Sequence, residues 1–224
     1  MTESSDRGAD STRQQILRAA SHQFARRPYG LVSLDDIVAQ AAVTKGAMYF
    51  HFRSKQALAL AIIEDNASMH RATVNELLAR RLSGLETLVD ILYATAAREI
   101  GDDLARAGIH LLESVDRTEG IQANLFREWI NAFATVIRRA ITEGDVSEQC
   151  DPEDVSRLLI ALYVGIRQTG NLDEPEQFFL NLEKAWALVL PGFANPGRIE
   201  YLTQFIRRRT ALAMKNTPRR HDSA

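Results

Sequence analysis

Residues 34–55, LDDIVAQAAVTKGAMYFHFRSK, decide how this chain is read. The spacing predicts two short helices joined by a tight turn and followed by an aromatic and basic ending. Ser33 is placed to cap the first helix, with Asp36 three residues on to complete a capping box. Leu34, Ile37, Val38 and Ala41 fall on one apolar face, and Val43 closes the helix. Thr44 is a good N-cap for a second helix from Lys45 to about Phe50. That helix is short, and its start is made of small residues. The major groove of DNA, about 12 Å wide, admits one helix if nothing bulky holds it off.

The side chains suit that task. Lys45 offers a charge to a phosphate or a guanine edge. Gly46 and Ala47 let the backbone approach bases, and an alanine methyl can meet a thymine methyl. Tyr49 and His51 are donors at the far end, in reach of phosphates. Phe50 and Phe52 are expected to plug the helix into the core of a small domain. Ser54 caps the next helix, and Lys55 lies in its first turn, where free N–H groups and a positive dipole end favour an anion.

TKGAMYFHFRSK closely resembles the recognition segment of the TetR family of bacterial transcription repressors, typically T-K-G-A-L-Y-x-H-F-x-S-K. Upstream, TRQQILRAASHQFARRPYGLVSLDDIVAQAAV is similar to that family's first two helices, with Ile16, Leu17, Ala20 and Phe24 as the apolar stripe and Tyr29-Gly30 as the turn. The resemblance covers Thr12 to about Leu60. It implies an all-α fold, a three-helix helix-turn-helix head followed by a larger helical body for ligand binding and dimerisation. The expected division is a disordered tail over residues 1–11, the head over 12–55, the body over 56–214, and a disordered basic tail over 215–224. The residues expected to meet DNA are Thr12, Ser33, Thr44, Lys45, Gly46, Ala47, Tyr49, Phe50, His51 and Lys55.

Composition agrees. A chain of 224 residues has room for one small and one larger domain, and its net charge is only −2. Residues 1–55 hold eight Lys or Arg against five acids, a local +3, so the remainder carries −5. A positive head on an acidic body fits a specific DNA binder. The single cysteine, Cys150, excludes an intrachain disulfide and fits a reducing compartment, hence the cytoplasm. No signal peptide opens the chain, and no apolar run approaches the ~18 residues of a membrane span.

Beyond the head, helix punctuation is clear. A long helix is expected over residues 54–80, then helices over 84–100, 104–115, 122–143, 152–169, 176–190 and 198–214, with loops at 116–120 and 144–151. Asp151 and Pro152 mark one start, and Pro175 another. Residues 85, 88, 91, 92, 95 and 96 are expected to face inward on the second of these.

In the family resembled, the last two long body helices pair with their twofold mates. That implies a homodimer interface through Leu158, Leu162, Ile166, Phe179, Leu182, Trp186 and Val189, with Tyr163 nearby, unless these residues fill the monomer core. The segment NLFREWINAFATVIRRAITEGDVSEQCDPEDVSRLLIALYVGIRQTG is similar to the γ-butyrolactone receptor branch, where a tryptophan in an E-W context stacks on the lactone. The resemblance makes Trp129 an effector contact, with Ile91, Thr95, Ile109, Gln122, Phe133 and Tyr163 around it. Thr95, Tyr163 and Gln122 are expected to donate to a carbonyl. The alternative for Trp129 is an ordinary core aromatic.

Five histidines (His22, His51, His70, His110, His221) show no metal-ligand spacing, and no nucleophile elbow, phosphate loop or dinucleotide glycine pattern occurs. No metal, cofactor or catalytic site is expected. His110 and Glu113, three apart, read as a solvated pair, and Arg207-Arg208-Arg209 as a charged helix end. The reading is a repressor bound to palindromic double-stranded operator DNA and released by a small apolar effector. Two alternatives stay open: a related regulator sensing an antibiotic, a lipid or an acyl-thioester, and a helical protein–protein interaction module.

Overall fold

Prolines, glycines and capping residues cut the described residues into ten α-helices. They are seen in a computed structural model describing the backbone of residues 3–115 and 121–217. The helices are α1 (Glu3–Arg26), α2 (Leu34–Ala41), α3 (Lys45–His51), α4 (Lys55–Leu78), α5 (Gly84–Gly101), α6 (Asp103–Val115), α7 (Ile121–Thr142), α8 (Pro152–Thr169), α9 (Pro175–Val189) and α10 (Pro196–Asn216). Single 3-10 turns follow α1 and α9, at Tyr29–Leu31 and Leu190–Gly192. The only extended pairing among the described residues is an isolated antiparallel bridge between Val146 and Ala194. Most expected helices appear within two residues of their expected ends. The first does not: α1 begins at Glu3, inside the segment expected to be a disordered tail. That segment holds no proline to stop a helix. The last helix reaches Asn216, two residues into the expected basic tail. The expected loop at 116–120 and residues 218–224 lie outside the described residues.

The helices form two compact units that do not follow the expected cut after residue 55. One comprises Met1–His70 with Asp102–Gln122, the other Arg71–Gly101 with Ala123–Ala224. In the first, Ile16, Ala20 and Phe24 of α1, Ile37 of α2, Met48 of α3, and Leu58 and Ile62 of α4 have no exposed surface. Helix α6 joins this unit, with Ala105, Ala107, Leu111 and Leu112 buried alongside polar contacts. Asp103 takes bonds from His22 Nδ1 and Arg26 Nη1, each at 2.9 Å. Gly108 lies so near α4 that a Cβ there would stand 2.6 Å from the Asn66 Cβ.

The second unit holds the larger apolar core. Trp186, Phe178, Phe179 and Leu182 of α9 meet Leu85, Leu88 and Ile91 of α5, with Ile137 of α7, Leu159 of α8 and Leu202 of α10. Tyr93 stacks on Phe179 at 6.0 Å, and its hydroxyl bonds with Thr210 at 2.7 Å. Burial pushes the Tyr93 phenol up, beyond any range a cell reaches. Asp151 caps α8 by accepting from the amides of Glu153 and Asp154 at 2.8 and 3.1 Å, with Pro152 at the first helical position.

Candidate nucleic-acid interface

Four local devices build the helix-turn-helix. Ser33 and Asp36 form the expected capping box: the Asp36 amide donates to Ser33 Oγ at 3.1 Å and the Ser33 amide to Asp36 Oδ2 at 3.2 Å. The Ser33 bonds hold the Asp36 carboxyl below the usual range despite its exposure, and Arg27 adds to this. The turn is made by Ala42 in the left-handed region, φ 52° and ψ 39°. Its amide donates to Ala39 O and the Val43 amide to Val38 O, a Schellman ending with alanine where glycine is commonest. Thr44 then caps α3, accepting from the Ala47 amide at 3.1 Å. Finally, Met48 and Phe52 are buried and fix the roll of α3, with the Arg13 guanidinium 5.5 Å above the Phe52 ring.

With Met48 inward, the 100° step of a helix places the other residues. Gly46 and Phe50 point the opposite way, one turn apart. Lys45 and Tyr49 share one flank, Ala47 and His51 the other. Phe50 is 79 % exposed and Tyr49 54 %. Phe50 therefore does not plug the core as its pairing with Phe52 suggests: it sits two residues, or 200°, from the buried Met48. Its ring instead meets the edge of the half-buried His51 ring at 5.1 Å. A Cβ on Gly46 would find only Thr44 Oγ1 within 4 Å, at 3.8 Å, so the helix backbone there is bare.

Lys45 pairs with Asp35 of α2, Nζ lying 2.8 and 3.0 Å from the two carboxylate oxygens, with both side chains about 70 % exposed. The bond to Asp35 raises the lysine's affinity for its proton. Lys55 is used differently. Its ammonium donates to Tyr29 O at 2.9 Å and Val32 O at 3.0 Å and stands 4.2 Å over the Tyr29 ring. Lys55 thus staples the turn after α1 to the start of α4. Ser54 caps α4 as expected, accepting from the Ala57 amide at 3.0 Å. Thr12 lies half-buried within α1.

The residues expected around the effector divide between the units. Ile109 and Gln122 belong to the first; Ile91, Thr95, Trp129, Phe133 and Tyr163 belong to the second. Trp129 is half-buried on α7 with Phe126 edge-on at 5.3 Å, whereas Ile91, Phe133 and Tyr163 are buried. Two of the expected donors to a ligand carbonyl are already committed. Thr95 Oγ1 donates to Ile91 O at 2.8 Å and Tyr163 to Glu99 Oε1 at 2.7 Å. Glu99 also takes the Arg167 Nε at 2.6 Å, in a pair only 1 % and 3 % exposed. Burial, then the Glu99 charge, push the Tyr163 phenol well up. Neither Glu99 nor Arg167 is signalled in the sequence: one acid and one base 68 residues apart carry no spacing pattern.

The expected dimer residues also divide. Phe179, Leu182 and Trp186 have no exposed surface and Tyr163 almost none, so these side chains fill their own unit's core and offer nothing to a mate. Leu158 is 43 % exposed, and Leu162, Ile166 and Val189 are partly exposed. The neighbouring Leu188, at 82 %, was missed, although its place after Trp186 on α9 puts it outward. Among the described residues no helix is long and apolar enough to cross a membrane.

Two family models match the chain. Residues 16–62 fit the bacterial regulatory proteins of the tetR family, and residues 82–194 fit the tetracyclin repressor-like C-terminal domain. The A-factor receptor protein of Streptomyces griseus is 31 % identical over 197 residues, covering 87 % of this chain and 68 % of that protein. The crystal structure of a gamma-butyrolactone receptor, described as ArpA-like, superimposes with a TM-score of 0.78 at 28 % identity, covering 91 % of this chain and 99 % of the other. CprB from Streptomyces coelicolor, solved in complex with its biological operator sequence, gives a TM-score of 0.75 at 29 % identity, covering 89 % and 98 %. With capped α2 and α3, the expected all-helical body and both family models in register, the chain belongs to the tetR family of bacterial regulatory proteins and resembles its gamma-butyrolactone receptors.

Proposed function

We propose that this protein is a cytoplasmic, homodimeric transcriptional repressor that binds a pseudo-palindromic operator and leaves it when a small apolar effector, a γ-butyrolactone or close analogue, binds the body. The observation that carries the reading is the outward face of α3. Lys45 and Tyr49 lie on one flank beside the bare backbone of Gly46, on a helix capped at its start and anchored by Met48. Such a helix offers a charge, a hydroxyl and close backbone approach to base edges. Ser33, Thr44 and Lys55 serve the same face indirectly, by fixing α2, α3 and the turn before them. Seven residues read too few bases for a specific site, so two copies are required, entering successive major grooves about 34–36 Å apart. Leu158, Leu162, Ile166, Leu188 and Val189, exposed or partly exposed on α8 and α9, are the apolar residues we assign to bringing the copies together. The effector reading is supported by the likeness to the A-factor receptor and by Trp129 with Phe126, half-buried and aromatic on α7.

The test is to select binding duplexes from a random pool, titrate them by fluorescence anisotropy at several salt concentrations, and then add a synthetic γ-butyrolactone. Lys45→Ala should weaken binding roughly 5- to 150-fold if it reads a base, or evenly across sequences with a flatter salt slope if it meets phosphate. Trp129→Ala should keep operator binding but lose release by the lactone. Unchanged binding by both Lys45→Ala and Tyr49→Ala removes α3 from the interface, and unchanged release by Trp129→Ala places the effector elsewhere.

A further inference from the structure

Phe50 is a large apolar side chain held in water, 79 % exposed, on a helix whose other large apolar residue, Met48, has no exposed surface. An exposed phenylalanine costs solvation and is informative where it sits on a projecting element rather than scattered on a surface. Helix phase puts it on the pole of α3 diametrically away from Met48, one turn beyond Gly46. Nothing of the Phe50 side chain comes within 4 Å of where a Gly46 Cβ would stand. The ring leans on His51 instead, edge to face. The outermost line of α3 is therefore a bare stretch of backbone followed by one aromatic disc. Lys45 and Tyr49 on the flank bring polar atoms; Phe50 has none. In the major groove the one apolar group at a base edge is the C5 methyl of thymine.

Building on the operator-binding reading, we infer that Phe50 is a specificity-determining residue that packs against a thymine methyl, so that the operator must carry thymine at one fixed position of each half-site. The ring cannot hydrogen-bond any base, so discrimination comes from burying the methyl against it and from excluding the amino group of cytosine from an apolar contact.

The test replaces each thymine of the selected operator, one position at a time in both half-sites, with deoxyuridine, which keeps every hydrogen bond and removes only the methyl. At one position the wild-type protein should lose about fourfold in affinity per half-site, the value of one buried methyl. Phe50→Ala should bind more weakly and be indifferent to uracil at that position while keeping its sensitivity elsewhere. Phe50→Leu should restore part of the thymine preference. Because Phe50 is exposed, both variants should melt with the wild type. Equal uracil sensitivity in wild type and Phe50→Ala, or no sensitive position in the wild type, overturns the assignment. A wild-type protein that selects no duplex at all overturns the operator reading itself, a distinguishable result.

Discussion

Two ion pairs of nearly equal length sit in opposite settings. Lys45 and Asp35 meet at 2.8 Å on the outer face of α2 and α3, both about 70 % exposed; Arg167 and Glu99 meet at 2.6 Å inside the body, both under 4 % exposed. Length does not distinguish them, but solvent does. The first pair exchanges water for a partner at little gain and can exchange that partner for another anion. The second has lost its water, and its cost is met only while Arg167 and the Tyr163 hydroxyl stay in place. Charges meant to be given up are kept wet, and charges meant to fix a core are kept dry.

The largest effect should follow from breaking the dry pair. Glu99→Ala takes the carboxylate away from the buried Arg167 guanidinium and should cost about 3–5 kcal/mol in urea unfolding. A cost no greater than that of a surface substitution would mean that water or neighbours replace the carboxylate and that burial is not what separates the two pairs.

A middling effect lies in the head. Ser33→Ala removes one half of the capping box and should cost about 1 kcal/mol. Asp36 adds a dependence on acid. Its folded carboxyl is held below the unfolded value, so its contribution is complete above about pH 4 and is lost as pH falls through the lowered folded value. In acid titrations followed by circular dichroism, Asp36→Asn should start less stable at neutral pH and lose less between neutral and acid. An unchanged acid limb would assign that limb to other carboxylates.

The smallest effect on stability should come from the wet pair. Asp35→Ala should leave the melting temperature where it is. On operator DNA it should tighten binding, because it frees Lys45 and removes a negative charge facing phosphates. Weaker binding would show that Asp35 holds Lys45 in its reading position instead of competing for it.

The two regions also differ in how well the sequence announces them. In the head each feature is local. Ser33 with Asp36, Thr44 with Ala47, and Ser54 with Ala57 are bonds three residues apart, so spacing alone finds them. Phe50 reads both as a DNA contact and as a core plug, the second because its neighbour Phe52 invites a common fate, while α3 ends between them and leaves them on different surfaces. In the body the helices were legible from proline and glycine, but the fate of their apolar residues was not. Phe179, Leu182 and Trp186 have the same composition as an interface and prove to be core. Periodicity gives a helix one apolar face without saying whether its own chain or another covers it. Lys55 shows a further limit: its inward bonds to Tyr29 O and Val32 O depend on a backbone path 23 to 26 residues away.

The close approach of α6 to α4 bears on how this sequence can change over time. The atom nearest a new methyl at Gly108 is the Asn66 Cβ, which no rotation of that side chain can move. A glycine inside a helix is worth roughly 1 kcal/mol less than alanine, so drift should favour its replacement. Here that otherwise stabilising step is closed unless position 66 becomes glycine first, at a similar cost to α4. The first of the two steps is then harmful on its own, and only the second recovers the loss. Position 108 is thus a lock on the divergence of this pair of helices, set by geometry and independent of any ligand.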